Sequence, residues 1–103
     1  MTAVAPQFDA VIHPPPRLQI CGLLAAVDTM EFATVRDTVG VSDSVLSKHV
    51  KLLEEAGYVK VRKAVVASRQ RTWLALTRAG RFAFKAHMGE LARLAASARL
   101  AAE

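Results

Sequence analysis

Between Val41 and Val59 the apolar residues Leu46, Val50 and Leu53 recur at helical spacing, and Val45 and Leu52 widen the stripe, the pattern of an amphipathic helix. Ser44, Ser47, Lys48 and Lys51 follow the same spacing on another face, which carries hydroxyl and ammonium groups and no acid. Ser42 or Asp43 is placed to cap the first turn, and Gly57 to end the helix in a left-handed conformation. Upstream, Leu18, Cys21, Leu24 and Ala25 predict a helix from about Arg17 to Val27, started by the Pro14-Pro15-Pro16 run because proline is tolerated in a first turn. Val35 and Val39 predict a shorter helix over Ala33 to Val39, ended by Gly40, after a connector at Met30-Glu31-Phe32 able to form one extended rung.

After Gly57 the period changes from 3.6 to 2. Tyr58 to Lys63 alternates apolar and basic, as a half-exposed strand does; Ala67 to Gln70 reads as a polar turn, and Thr72 to Leu76 as the returning strand. Thr77 then caps a helix from Arg78 to about Ala102, roughly 37 Å long at 1.5 Å per residue. Phe84, Met88, Leu91, Ala95 and Ala98 form a heptad-like seam along it, flanked by Leu94, and self-association is the simplest cover for so long a stripe. Residues 1–16 read as an arm. Pro6 and the proline run exclude a continuous helix, yet Phe8, Val11 and Ile12 are apolar enough to pack against the body or a second subunit.

Composition sharpens this picture. The 103 residues are most economically one domain, and a hydrophobic content of 52% leaves apolar surface over for a partner. A net charge of +5 and a pI near 10.0 imply an anionic partner, either nucleic acid or a membrane surface. The charge is concentrated: eight basic residues and no acid lie between Tyr58 and Lys85. One cysteine excludes an intramolecular disulfide and suits a reducing compartment. The N-terminus lacks the basic start and apolar core of a signal peptide, and no run is long enough to span a membrane, so a cytoplasmic, nucleoid-associated protein is expected.

Two short helices, a glycine turn, a polar-faced second helix and a basic hairpin are the parts of a winged helix-turn-helix. The segment SDSVLSKHVKLLEEAGYVKVRK, followed by RTWLALTRAGR with its T-x-x-G, resembles the winged helix-turn-helix of the MarR and ArsR-type bacterial transcription regulators. The likeness is greatest to a short subgroup whose domain begins at a motif like IHPPPRLQICGLL, and it covers about residues 11 to 90. It implies a mainly α fold with a small β-hairpin (α+β), dimeric through its terminal helices. The expected organisation is an arm over 1–16, a winged helix-turn-helix over 17–77 (helix-turn-helix about 33–57, wing about 58–76) and a dimerisation helix over 78–103.

The resemblance also implies a homodimer that represses transcription from a pseudo-palindromic double-stranded operator. It places Ser42, Ser44, Ser47, Lys48 and Lys51 at the major groove, and the wing residues Arg62, Lys63, Ser68, Arg69 and Arg71 at the minor groove or phosphates. Phe8, Ile12, Leu18, Phe84, Met88, Leu91, Leu94, Ala95 and Ala98 are the expected dimer interface. An unidentified small-molecule effector is a further partner in such families, although the extra helices that bind one in larger members are absent or shortened here. Metal-sensing members carry clustered ligands, whereas Cys21, His13, His49 and His87 are scattered, so no metal or cofactor is expected. No nucleophile with a base, paired carboxylates or glycine-rich phosphate loop stands out, so no enzyme is expected. Cys21 and Trp73 read as core residues, with a redox switch at Cys21 and base stacking on the Trp73 indole as lesser alternatives, and His49 as a half-buried structural residue. The rival function is a winged-helix protein-interaction module whose basic hairpin is merely solvated.

Overall fold

Pro15 and Pro16 occupy the first turn of α1 (Pro15–Ala25), where their missing N–H groups fall among donors that have no helical partner in any case. The computed structural model describes residues 6–103, so the first five residues of the expected arm lie outside the described residues. After α1 come β1 (Met30–Glu31), α2 (Phe32–Val39), α3 (Asp43–Glu55), β2 (Val59–Val66), β3 (Arg69–Leu76) and α4 (Arg78–Ala102). The strands make one antiparallel sheet in the order β1-β3-β2. This is the α+β winged helix-turn-helix architecture.

Each helix ends where side-chain chemistry makes it end. α1 starts and stops two residues earlier than its apolar period suggests, and Arg81 of α4 donates to the carbonyls of Ala25 and Val27 at 3.3 and 2.8 Å just beyond its last turn. α2 closes on Gly40 at φ 78°, and the α3 segment leaves through Gly57 at φ 81°, a left-handed backbone that suits glycine. Ser42 is the cap of α3, its Oγ accepting from the Val45 N–H at 3.2 Å.

The hairpin is longer than its sequence pattern predicts. Pairing continues out to Val66 and Arg69, and the turn is only Ala67 and Ser68, at φ 51° and 65°. Two central residues with positive φ make the turn whose twist matches paired strands. The alternation fades at Ala64-Val65-Val66 because both faces of the projecting hairpin meet solvent, while the backbone ladder persists.

The core joins Ile20, Cys21 and Leu24 of α1, Val35 of α2, Leu46, Val50 and Leu53 of α3, and Val59, Leu74 and Leu76 of the sheet. Three expectations change. Ile12, expected at a subunit interface, is fully buried within its own chain and has no surface to offer a partner. Val45 and Leu52 are exposed, so the apolar stripe of α3 is narrower than its sequence suggests. Trp73 is absent from the core; its register partners are Arg62 and Glu31, on the sheet face opposite Leu74.

Two contacts tie these layers together. Thr77 accepts the Gly80 N–H on its Oγ at 3.0 Å, donates that hydroxyl to the Gly57 carbonyl at 2.6 Å, and donates its own N–H to the Tyr58 carbonyl at 2.9 Å. α4 therefore starts directly against the end of the α3 segment. A Cβ at Gly80 would lie 2.1 Å from the Tyr58 carbonyl oxygen, which only glycine avoids.

The second contact anchors the arm. Asp9 accepts from the N–H groups of Val11 and Ile12 at 2.9 and 3.2 Å and from the Tyr58 hydroxyl at 2.6 Å. Its own N–H donates to His87 Nδ1 at 3.2 Å, which leaves the neutral His87 proton on Nε2, facing His13 Nδ1 at 3.1 Å. Burial and the neighbouring His13 hold His87 below the usual 6.5, and burial with Arg17 and Lys48 does the same to His49.

Two outcomes are expected. Gly80→Ala destabilises the chain by about 3 kcal/mol, read from urea unfolding, because backbone must move to admit the methyl group. A histidine whose folded pKa lies below its unfolded value binds the proton better when unfolded, so its stabilisation is complete above about pH 6.5 and declines as pH falls. The urea midpoint of the native chain should drop between pH 7.5 and 5.5; His87→Gln, whose amide offers an acceptor and a donor that do not titrate, should show a smaller drop. An equal drop in both proteins would remove His87 from the account.

Candidate nucleic-acid interface

The capped start of α3 exposes Ser44, Val45, Ser47, Lys48, Lys51 and Leu52 in one continuous surface. Within it, Ser47 and Lys51 turn toward the wing. Together with Lys63 and Thr72 they line an open groove of about 640 Å³, which is floored by Phe32, Val50, Val61 and Leu74. Ser44 and Lys48 are exposed on the same helix outside that groove. Ser42 is exposed too, but its Oγ serves the helix cap and lies 3.2 Å from that of Ser44.

Register divides the wing cations. Side chains directly opposite across an antiparallel ladder share a face. Val61, Lys63 and Val65 share theirs with Leu74, Thr72 and Gln70, and this is the face turned to α3. Lys60, Arg62 and Val66 share the other face with Ala75, Trp73 and Arg69; Ala64 and Arg71 also lie there. The fold thus brings Ser47, Lys51 and Lys63 together and sends Arg62 and Arg71 to the far side. Arg71 is moreover paired with Glu31 at 3.3 Å. Ser68 and Arg69 lie at the exposed tip, beside Val65, which is 74% exposed.

Acids enter this surface where the reading of α3 alone placed none. Asp43 and Glu54 both line the groove. Asp43 is held by Arg36 at 2.8 Å, and Arg36 also reaches Asp37 at 2.9 Å; these two carboxylates push the guanidinium pKa further up. Glu54 has no cationic partner among the described residues. Thr72 and Val45 were also missed as surface candidates. The strand register could have revealed Thr72, since it sits opposite Lys63, and the helical period could have revealed Val45, which lies about 100° around α3 from Leu46 on the side of Lys48.

The seam on α4 is divided between two environments. Phe84 packs on the core and Leu91 is half-buried, while Met88, Leu94, Ala95 and Ala98 are exposed. Leu18 likewise packs on the core, and Phe8 is half-buried, its ring stacked on His13 at 4.5 Å. Phe82 and Leu100, at 77% and 71% exposure, are more open than Met88 and Leu94 at 43% and 41%; five helical turns separate them, and they lie on the side opposite the seam. Burial pushes the Cys21 thiol up to about 11, so it is not a thiolate at neutral pH. Among the described residues no group of three or more His, Cys, Asp or Glu is arranged to hold a metal ion, and no helix is long and apolar enough to cross a membrane.

Residues 17–95 match the family described as the winged helix DNA-binding domain. An uncharacterised protein of Methanocaldococcus jannaschii is 34% identical over 87 residues, which is 84% of this chain and 90% of that protein. The solved structure of a transcriptional regulator homologue from Pyrococcus horikoshii OT3 superposes with a TM-score of 0.80 at 25% identity, covering 84% of this chain and 86% of that one. A MarR-family transcriptional regulator from Silicibacter pomeroyi shares the fold, with a TM-score of 0.64 at 24% identity over 82% of this chain and 56% of that one.

The unpaired carboxylate in the groove has a measurable consequence. Glu54→Gln should bind any duplex several-fold more tightly at low salt, with the gain shrinking as salt screens the repulsion. Fluorescence anisotropy of a labelled duplex would read it. Unchanged affinity at low salt would mean that Glu54 does not face the phosphates.

Proposed function

This chain belongs to the winged helix DNA-binding domain family, and from that premise we propose that it is a homodimeric repressor of transcription on a pseudo-palindromic operator. A DNA-binding transcriptional regulator is what the family and the fold support; the dimer, the operator symmetry and the sign of regulation are our reading.

One observation carries it. The hydroxyl-rich, basic surface of α3 continues across an open groove onto Lys63 of the wing, so that two adjacent elements offer cations to one ligand. A helix fits the major groove, and residues near its start reach base edges most readily. Ser44 and Ser47 permit close approach to the bases, while Lys48, Lys51 and Lys63 contact phosphates. Ser68 and Arg69 at the tip extend the wing into the neighbouring minor groove, where negative potential is enhanced. Arg62 and Arg71, on the wing face turned away from α3, take no part in this contact.

A second copy would cover the outer half of the α4 seam, from Met88 through Leu94 and Ala95 to Ala98. The small, alanine-rich positions there allow two helices to approach closely. Pairing of this kind would present two α3 helices to half-sites about 34 Å apart, one turn of the duplex.

A salt-titrated binding assay against the upstream intergenic DNA and an unrelated duplex tests the reading. The upstream DNA should bind more tightly, at a stoichiometry of two chains per site. Lys48→Ala should weaken both duplexes alike and reduce the salt slope by about one, while Ser44→Ala or Ser47→Ala should alter the preference between them. No binding to either duplex at low salt would instead favour a protein-interaction module.

A further inference from the structure

The wing has a second face, turned away from α3, and that face contains a small cleft. Lys60, Arg62, Trp73 and Ala75 surround about 170 Å³ of space, with Thr29 at one end. Arg62 stands opposite Trp73 and Lys60 opposite Ala75 in the ladder, so the two cations sit two residues apart on β2, about 7 Å along the strand, beside the indole. Among the described residues neither cation is paired with a carboxylate, although the neighbouring Arg71 is, through Glu31. Trp73 is half-buried and stands outside the core cluster, so core packing does not account for it.

We propose that this cleft binds a nucleotide, with an unpaired base lying against Trp73 and its phosphate held by Lys60 and Arg62. The space is too small for a drug-sized ligand and of the size of one planar ring. Its floor is apolar and its rim cationic, which matches a base joined to a phosphate; any base can stack on an aromatic face, whereas a closed duplex has no free base to insert. The partner is therefore different from the duplex assigned to α3, and the inference does not depend on that assignment. A free mononucleotide and one residue of a single strand offer the same chemistry to the cleft.

Trp73 is the only tryptophan in the chain, so its emission reports on this site directly. The full-length protein is titrated in parallel with dTMP, with a short oligo(dT), with a blunt duplex and with a poly-glutamate peptide. Saturable quenching by oligo(dT) alone assigns the site to a single strand, and quenching by dTMP as well assigns it to free nucleotides; either supports the proposal. Lys60→Glu and Ala75→Glu should each weaken that quenching about tenfold or more, the scale of one lost stacking or phosphate contact. Both variants are first checked for a native circular dichroism spectrum, and Ala75→Glu should leave duplex binding, read by anisotropy of a labelled duplex, unchanged. Three results would overturn the proposal: no saturable quenching by dTMP or oligo(dT), quenching that both variants leave intact, or quenching by the poly-glutamate peptide alone, which would give the face to an acidic protein. If duplex anisotropy still depends on Lys48 in that case, only the nucleotide site is lost.

Discussion

The close approach of Gly80 to the Tyr58 carbonyl is the contact on which the rest of the arrangement depends. It lets the first turn of α4 lie on the strand that leaves α3, and Thr77 locks that geometry by serving as helix cap, donor to Gly57 and donor to Tyr58 at once. Three elements meet at this point: the exit of α3, the start of the wing and the start of α4. The Gly57 and Tyr58 carbonyls and the Gly80 N–H, which a chain reversal would otherwise leave unpaired, are all satisfied there by Thr77. Tyr58 extends the junction outward, because its hydroxyl holds Asp9 and so ties the arm to the same place.

Much of this was legible in the sequence, because local chemistry decided it. The cap at Ser42, the left-handed exit at Gly57, the cap at Thr77 and the span of α4 depend on residues within a turn of one another. What was not legible was set by distant partners. Ile12 is apolar, and no local signal says whether its neighbour is its own core or a second chain. Trp73 looked like a core residue because tryptophans usually are, yet register with Arg62 and Glu31 places it outside. Glu54 follows Ser47 and Lys51 at helical spacing, which puts it on their face, and the fold turns that face to the groove. The uncertain part of the site was therefore less which residues were polar and basic than which of them face one another.

That distinction matters most for charge. Along the chain the basic run from Lys60 to Lys85 looks like a single feature, but the ladder splits it between two faces and the helix beyond. Lys63 joins the α3 surface, Arg71 is spent on Glu31, and Arg81 holds the end of α1 through two carbonyls. Exposed pairs such as Arg71–Glu31 contribute little stability, on the order of 0 to 1 kcal/mol. Their larger effect is on the surface potential, because they remove a charge from one place and leave it in another. Net charge thus overstates the cations available to any one ligand, and the groove, with Glu54 inside it, is less positive than the composition alone implies.

The division of the α4 seam bears on how binding at α3 would be organised. Its first half is committed to the chain's own body through Ala83, Phe84 and the buried His87, so α4 is fixed in direction before any partner arrives. Its second half has no buried position and projects from the body. A projecting helix whose base is rigid transmits orientation. Under the proposed pairing, the junction at Gly80 would set the angle between α4 and α3 within each copy, and the seam beyond Met88 would set the angle between copies. The separation of two α3 helices would then follow from two packing contacts. A flexible linker in place of either would allow a range of separations and lose the discrimination between correctly and incorrectly spaced half-sites. The rigid glycine contact is thus a structural requirement of this kind of recognition as well as of the fold, since a site read in two halves needs a ruler between them.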